Sequence, residues 1–475
     1  MDAALATLKA TLRGSLEGDY QHKGVRWMLS REFAATDNQH PKGGFLADDM
    51  GLGKTHQTIA VIAGNPVPTL IVTEVATMSQ WRDALITFGN MKPAILNASF
   101  KPTSLPPDIK LVLTTYSVFQ RPNGCPPCLK SMEWGRIVLD EGHNISNPKT
   151  KLYKELSLLQ STIKWVLSAT PIQNSEKDLL AQAKWIGIKT TNLDEIYNTY
   201  LLRRTVKDSD LKLPSLDSEI VYLPFKYEEE KALYERIEVF YVEKLAAQTT
   251  RASITALEGM LKCRQICTHP TMFFEDTKTG TKRSKPDGEE HEFDKSTKIE
   301  YITDYIKNLS LSFKETPPKT LIFCSWRREM QLISDALKSE GIQSLIFDGQ
   351  LSKEQKEHVL YNFINMSIPV LILQVKCGST GLNLQCASHV IITTPNWNPT
   401  IDLQAIGRSY RKGQTDSVKC IRLVMKDTIE EKCLRISQNK AILIAETMKD
   451  DSIKNRLGSP QIDMSMAELY ELFGL

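Results

Sequence analysis

The feature that most constrains the fold is a short apolar run followed by glycines and a Lys-Thr pair, within residues 43–55. A strand, a glycine-rich turn and a helix start form a phosphate cradle, because glycine lets backbone N–H groups approach the phosphate oxygens. In such a cradle Lys54 reaches the β- and γ-phosphates and Thr55 holds Mg²⁺. Asp48 stands where the strict pattern has its first glycine. The alternative is an ordinary glycine-rich turn, which has no need of Lys-Thr.

The cradle predicts that this chain binds a nucleotide such as ATP together with Mg²⁺. The residues assigned to nucleotide contact are Asp49, Met50, Gly51, Leu52, Gly53, Lys54 and Thr55.

Length and composition indicate a multidomain globular protein. A chain of 475 residues has room for two to four domains, and 41% hydrophobic with 24% charged residues is typical of soluble proteins. No apolar run reaches the roughly 18 residues that cross a bilayer, and the N-terminus lacks a signal-peptide pattern. The net charge of +3 neither requires nor excludes a nucleic-acid partner, because a protein with a small net charge can still have a local basic groove.

The cysteines favour a reducing compartment, since their number, nine, is odd and most lie in strand or helix patterns. Two spacings raise the question of zinc: Cys125 with Cys128, and Cys263 with Cys267 beside His269. A closed zinc site needs about four ligands brought together. The alternatives are a proline-rich loop for the first pair and a half-buried helix for the second.

Short β-branched runs alternate with helical patterns in two separate series, which predicts an α/β fold with two parallel-sheet lobes. The first series has strands at 44–47, 69–73, 111–116, 136–140 and 165–169. The second has strands at 320–324, 344–347, 370–374, 389–393 and 418–424. The predicted domains are lobe 1 at 1–206, a helical insertion at 207–274, a flexible linker at 275–297, lobe 2 at 298–445 and a C-terminal helical brace at 446–475.

Three further segments carry chemistry. An apolar strand ends in Asp140 and Glu141, where a nucleotide hydrolase holds Mg²⁺ and polarises the attacking water, and His143 follows as a coupling residue. Ser168 and Thr170 end another strand and can hydrogen-bond the carboxylates; the alternative is a plain Thr-Pro turn.

The last segment runs from Gln404 to Gln414 and contains two arginines. On a helix, Arg408 and Arg411 share one face because they lie three residues apart. Two such cations aimed at a bound phosphate act as arginine fingers, and Gln404 is assigned to coupling. The alternative is a solvated basic helix end.

Taken in order, these segments resemble the motifs of superfamily-two helicases, and the chain resembles the Swi/Snf-like branch from about residue 15 to 445. Asp19–Trp27 is similar to the family's adenine segment, which places Gln21 on the base. The further matching segments are Leu202–Thr205, Leu261–Pro270, Lys295–Lys298, Ser379–Leu384, Trp397–Pro399 and Arg408–Gln414. The closest similarity is to the helicase-like transcription factor and termination-factor group.

The resemblance implies two RecA-like lobes, DNA-stimulated ATP hydrolysis and translocation on double-stranded DNA, with nucleosomes or other DNA-bound proteins as possible targets. It assigns Thr115 and Thr380 to strand contact and implies a monomeric motor that is intracellular, and nuclear in a eukaryote, with a viral or cytoplasmic origin left open. Glu74 departs from the family by replacing a common proline. Two rivals stay open: a strand-separating helicase, and a DNA-binding scaffold without catalysis.

Overall fold

The computed structural model describes residues 2–34, 40–97, 105–106, 108–173, 175–209, 211–246, 252–274, 293, 295–313, 317–375 and 382–448. The chain divides into two compact units: one contains Met1–Leu213, and the other contains most of the chain from Pro214 onward. Each unit is built on a parallel β-sheet. Within the described ranges no helix has the length and apolarity to cross a membrane.

The first unit has a seven-stranded sheet in the order β3-β4-β2-β5-β6-β1-β7. Its strands are β1 (Lys42–Leu46), β2 (Thr69–Thr73), β3 (Ala94–Leu96), β4 (Leu111–Thr115), β5 (Trp134–Asp140), β6 (Ser161–Leu167) and β7 (Leu201–Leu202). Its helices are α1 (Asp2–Thr11), α2 (Gly18–Phe33), α3 (Lys54–Gly64), α4 (Met78–Thr87), α5 (Tyr116–Phe119), α6 (Pro127–Lys130), α7 (Lys151–Ser157), α8 (Glu176–Ile186) and α9 (Leu193–Glu195).

The central strands of this sheet are almost wholly apolar because both faces are covered. Every residue of β2 and β4 is buried, and so are Ile137, Val138 and Leu139 of β5. Helices α1, α2, α3 and α4 contribute to the same core, in which Trp81 and Trp165 are the largest buried side chains. Burial of these apolar side chains is the main force that holds the unit together.

The second unit has a six-stranded sheet in the order β10-β11-β9-β12-β13-β8. Its strands are β8 (Leu216–Leu223), β9 (Lys319–Cys324), β10 (Ser344–Phe347), β11 (Val370–Gln374), β12 (Ala387–Ile392) and β13 (Val418–Met425). Its helices are α10 (Glu228–Ala246), α11 (Ala252–Thr268), α12 (Thr271–Phe274), α13 (Thr297–Ser312), α14 (Arg327–Ser339), α15 (Lys353–Asn365), α16 (Pro399–Ile406) and α17 (Ile429–Thr447).

The prediction of two parallel-sheet lobes with a helical insertion is confirmed, with three differences in detail. Strands β3 and β7 were not predicted, because each is too short to show a period. Residues 216–223, assigned to the helical insertion, form β8, which pairs with β13 along its whole length. Arg408 and Arg411 lie in turns and not on a helix, because α16 ends at Ile406.

The other predicted strands match within a few residues, but the domain boundaries stay a prediction. Most of the predicted linker and of the C-terminal brace, namely residues 275–292, 294 and 449–475, lies outside the described residues. At the end of the linker, Ser296 is buried and its hydroxyl donates to the carbonyl of Thr268, while Thr297 begins α13.

Candidate nucleotide and carboxylate site

The residues singled out in the first half of the sequence converge on one edge of the first sheet. All neighbouring strands of that sheet are parallel, so their carboxyl ends meet at the same edge. The segments that follow β1, β2, β4, β5, β6 and β7 carry the glycine-rich loop, Glu74, Tyr116, the Asp140–Glu141 pair, Ser168 and Arg203–Arg204. This edge is where parallel α/β sheets bind their ligands.

The glycine-rich loop depends on backbone conformations that favour glycine. Gly51 and Gly53 have φ angles of 83° and 76°, in the left-handed region. A Cβ atom at Gly53 would lie 2.5 Å from Nε2 of Gln21, so a larger residue would also collide with α2. Because Gly53 immediately precedes α3, the loop directs backbone N–H groups and the helix N-terminus to the sheet edge.

The ammonium group of Lys54 lies inside this loop. Its Nζ donates hydrogen bonds to the carbonyl oxygens of Asp48 (2.8 Å) and Asp49 (3.3 Å). Burial lowers the pKa of Lys54, and the negative charges of Glu141 and Asp48 oppose that shift. Lys54 is therefore a partly buried cation that interacts electrostatically with Glu141 and with Asp48.

A second partly buried cation, Arg204, holds the residue that replaces the first glycine of the phosphate-loop pattern. The carboxylate of Asp48 is fully buried and accepts hydrogen bonds from Nε of Arg204 (2.9 Å) and Nε2 of Gln57 (2.9 Å), and it also pairs with Nη2 of Arg204. Arg204 Nη2 donates to Gln57 Oε1 at 2.7 Å. From the sequence, Asp48 was identified only as a departure from the phosphate-loop pattern. The dipeptide Arg203-Arg204 was the one sequence feature that could have indicated a cationic partner for Asp48.

The segment predicted to contact adenine lies on α2, next to the loop. Gln21 is buried, and its Nε2 donates to the hydroxyl of Tyr20 (3.1 Å) and to the carbonyl of Leu52 (3.2 Å). The guanidinium of Arg204 lies 5.5 Å from the centre of the Tyr20 ring, a cation–π distance. The structure thus joins Gln21 to the glycine-rich loop, although the two are about thirty residues apart in sequence.

Asp140 is fixed by donors from two neighbouring segments. Its carboxylate accepts hydrogen bonds from the indole N–H of Trp81 (2.7 Å) and the hydroxyl of Thr73 (2.9 Å). Its backbone carbonyl accepts from the Tyr116 hydroxyl at 2.6 Å. Burial, followed by the charge of Glu141, raises the pKa of Asp140 to about 6.

Glu141 has an uncommon backbone conformation for a side-chain-bearing residue, with φ 49° and ψ 50°. It directly precedes a short 3₁₀ helix, Gly142–Ile145. His143 on that helix places Nδ1 3.3 Å from Glu141 Oε2 and 3.3 Å from Ser168 Oγ. The Ser168 hydroxyl oxygen accepts a hydrogen bond from the Thr170 backbone N–H at 3.2 Å. Three of the predicted coupling residues are therefore joined in one chain of contacts that starts at Glu141.

The donor set at this edge fits a divalent cation. Mg²⁺ prefers carboxylate and hydroxyl oxygens, and Asp140 and Thr55 offer one of each. Asp140 and Glu141 are adjacent, partly buried carboxylates, an arrangement that a nearby cation would stabilise. No cluster of three or more acidic, histidine or cysteine side chains that could by itself hold a metal occurs among the described residues.

The remaining predicted residues fall elsewhere. Thr115 is 2% exposed, and its hydroxyl lies 2.8 Å from that of Ser117, so its side chain offers little surface for a direct contact. Thr380 lies outside the described residues. In the second unit Arg408 is buried, and its Nε donates to the Gln404 carbonyl at 3.0 Å. Burial lowers the pKa of Arg411.

The cysteine pairs considered for zinc are buried thiols. Burial raises the pKa of Cys125 and of Cys263 to about 12, which disfavours the thiolate that a metal needs. Cys267 is also fully buried, and burial raises its pKa well above the usual range. His269 Nδ1 lies 2.9 Å from the Thr271 hydroxyl. These contacts support packing roles in a proline-containing loop and in α11.

Two family profiles match the chain, one in each half. The profile described as SNF2-related domain matches residues 20–192, and the helicase conserved C-terminal domain matches residues 297–413. Similar curated proteins include the SWI/SNF chromatin-remodeling complex subunit snf22 of Schizosaccharomyces pombe, at 27% identity over 98% of this chain and 30% of that protein. The probable global transactivator of Orgyia pseudotsugata multicapsid polyhedrosis virus is 27% identical over 92% of each chain.

The putative ATP-dependent helicase/translocase YwqA of Bacillus subtilis is 28% identical over 99% of this chain and 51% of its own length. The chain thus spans about a third of snf22 and half of YwqA. Among solved structures, the Sulfolobus solfataricus SWI2/SNF2 ATPase core in complex with dsDNA is 27% identical, with a TM-score of 0.41 and 97% of both chains covered.

Two parallel-sheet units, with matches to an SNF2-related domain in the first half and to the helicase conserved C-terminal domain in the second, define the class of this protein: a two-domain helicase-type core. The chain carries both of these domains in this order and is similar to SWI/SNF proteins. Its assignment to the helicase-like transcription factor and termination-factor group stays a prediction.

Proposed function

We propose that this chain is a motor that couples ATP hydrolysis to translocation along double-stranded DNA and so remodels protein–DNA complexes. One observation carries the proposal: Lys54, Asp140 and Glu141 meet at one sheet edge, and Lys54 lies within the electrostatic range of both carboxylates. Lys54 is a partly buried cation and the two acids are partly buried as well, and phosphoryl transfer requires this combination of charges.

The proposed roles follow from the contacts. Lys54 and the backbone N–H groups of residues 49–55 bind the β- and γ-phosphates, and Gln21 orients the adenine beside the loop. Thr55 and Asp140 hold Mg²⁺, whose charge offsets that of the phosphates. Glu141 accepts a hydrogen bond from the attacking water and orients it.

His143, Ser168 and Thr170 form the proposed coupling path that begins at Glu141, because their contacts are continuous. In the second unit, Arg408 and Arg411 are the proposed arginine fingers and Gln404 supports Arg408 through its carbonyl. Thr115 and Thr380 stay the proposed strand contacts. Because the Thr115 hydroxyl is buried, we expect this residue to contact the DNA strand through its backbone or through Ser117.

We expect this protein to bind DNA through contacts to the phosphates, and therefore without sequence preference. Nucleosomes or other DNA-bound proteins are the proposed targets, and the site of action is intracellular, in the nucleus where the source is a eukaryote. A strand-separating helicase is the second candidate. The segment Ser168-Ala-Thr170 favours it, because this form is more typical of strand-separating helicases than of the Swi/Snf branch.

The test is ATP turnover measured with duplex DNA, single strands, RNA and nucleosomes. Duplex DNA of unrelated sequences should stimulate turnover equally, and the stimulation should fall steeply with salt as phosphate contacts are screened. Lys54→Ala should abolish turnover, whereas Lys92→Ala, an exposed lysine of the same unit, should leave it unchanged. Wild-type turnover in Lys54→Ala would refute the nucleotide site. Strand displacement, or stimulation by RNA alone, would favour the helicase.

A further inference from the structure

Asn144 makes three hydrogen bonds, two to the backbone carbonyl of Glu141 and one to the side chain of Glu74. Its backbone N–H (3.1 Å) and its side-chain Nδ2 (2.9 Å) both donate to the Glu141 carbonyl oxygen. The same Nδ2 donates to Oε1 of Glu74 at 2.8 Å. Glu74 follows β2, and Asn144 lies on the 3₁₀ helix that follows β5, so the bridge joins two neighbouring strands of the sheet.

The bridge contacts a residue with an uncommon backbone conformation. Glu141 adopts the left-handed conformation, which is unfavourable for a residue with a Cβ. Its position is also fixed from the other side, because the Tyr116 hydroxyl donates to the carbonyl of Asp140, the preceding residue. Two successive carbonyls at the end of β5 are therefore bound by side chains from adjacent segments.

We propose that Glu74 and Asn144 are positioning residues that set the direction of the Glu141 carboxylate, which rests on the ATPase function proposed above. Neither side chain is assigned any contact with nucleotide. Glu74 stands where the family commonly has proline, and a proline there could not accept this hydrogen bond. The proline-to-glutamate departure is thus explained by a specific partner 70 residues away.

The hydrogen bond from Asn144 requires an acceptor oxygen at position 74 but does not require a negative charge there. Glu74 is half-buried; burial raises the pKa of its carboxyl, while the hydrogen bond from Asn144 lowers it. Glutamine at this position would keep the side-chain carbonyl oxygen that accepts from Nδ2, whereas alanine would remove it. Comparison of Glu74→Gln with wild type therefore separates the acceptor oxygen from the negative charge, and Glu74→Ala removes both.

The experiment measures kcat, KM for ATP and melting temperature in the full chain with saturating duplex DNA. Glu74→Ala and Asn144→Ala should each lower kcat about tenfold, the loss expected for one hydrogen bond that aligns a reacting group, with KM changed by less than about twofold. Glu74→Gln should restore kcat to within about twofold. The double alanine variant should be no worse than Asn144→Ala, because both changes break the same bridge.

The control is Val75→Ala, which alters an exposed neighbour and should change neither constant. Equal kcat in Glu74→Ala and wild type would overturn the proposal, and so would a Glu74→Gln variant as slow as Glu74→Ala. A fall in melting temperature without a fall in kcat would show a structural role only. Failure of the ATPase function itself is distinguishable, because wild type and Lys54→Ala would then hydrolyse ATP equally.

Discussion

Replacing Arg204 by alanine should lower the melting temperature of the first unit by about 6–12 °C. The Asp48 side chain is 0% exposed and that of Arg204 is 12% exposed, so the variant leaves a buried carboxylate with Gln57 as its remaining side-chain donor. Breaking a buried ion pair in this way costs about 3–5 kcal/mol. We use the lower figure, about 3 kcal/mol, because Arg204 is partly exposed. At about 2–4 °C per kcal/mol for a unit of this size, this loss of stability corresponds to a fall in melting temperature of about 6–12 °C.

Differential scanning calorimetry is the suitable assay, because two units need not unfold in one transition. The matched control is Arg82→Ala. It removes a surface pair with Asp83 whose side chains are 37% and 58% exposed, so it should cost less than about 1 kcal/mol. A double variant, Asp48→Ala with Arg204→Met, should recover part of the loss because no buried charge remains. If Arg204→Ala melts no lower than Arg82→Ala, the ion pair does not hold the glycine-rich loop.

Three further outcomes are expected. Glu141→Gln should still bind ATP, measured by a fluorescent analogue, but stall hydrolysis, because the water loses its orienting carboxylate; normal turnover would place the base elsewhere. Arg408→Ala and Arg411→Ala should each lower kcat by orders of magnitude with little loss of ATP affinity, and a large rise in the dissociation constant at unchanged kcat would make them ground-state ligands instead. Burial raises the pKa of Glu230 to about 7 from an ordinary 4.5, so the second unit should lose up to about 3 kcal/mol of stability as pH rises from 4.5 to 7. Urea unfolding should show this slope in wild type and lose it in Glu230→Gln, and equal slopes would contradict the assignment.

Local sequence patterns were sufficient to predict an element when the residues that specify it lie within one segment. Strands 69–73, 344–347 and 370–374 have the predicted bounds, because short apolar runs rich in β-branched residues favour strands. The glycine-rich loop was predictable because left-handed backbone at Gly51 and Gly53 requires glycine. The placement of Arg408 and Arg411 on one helix face was wrong, because the helix ends at Ile406; their role as arginine fingers stays a prediction.

The strand at the edge of the second sheet shows why some elements could not be predicted from local sequence patterns. Strand β8 is half-buried or exposed along most of its length, and its apolar run is confined to its second half, Ile220–Leu223, so its strand pattern is short. Its pairing with β13 brings together residues about two hundred positions apart, and this pairing defines it as a strand. A short or exposed strand is specified by its partner more than by its own residues.

The sequence by itself determined the class of chemistry: a phosphate loop, an acidic pair after a strand, and basic residues in a second α/β region. These depend on residue types that the chemistry requires at short spacing. Only the tertiary structure decided which side chains support them. Arg204 reaches Asp48 across 156 residues, and Glu74 reaches Asn144 across 70, because parallel strands bring the ends of distant segments to one edge. Such contacts have no signature in local sequence, since their energy comes from burial and hydrogen bonding that exist only after the sheet has formed.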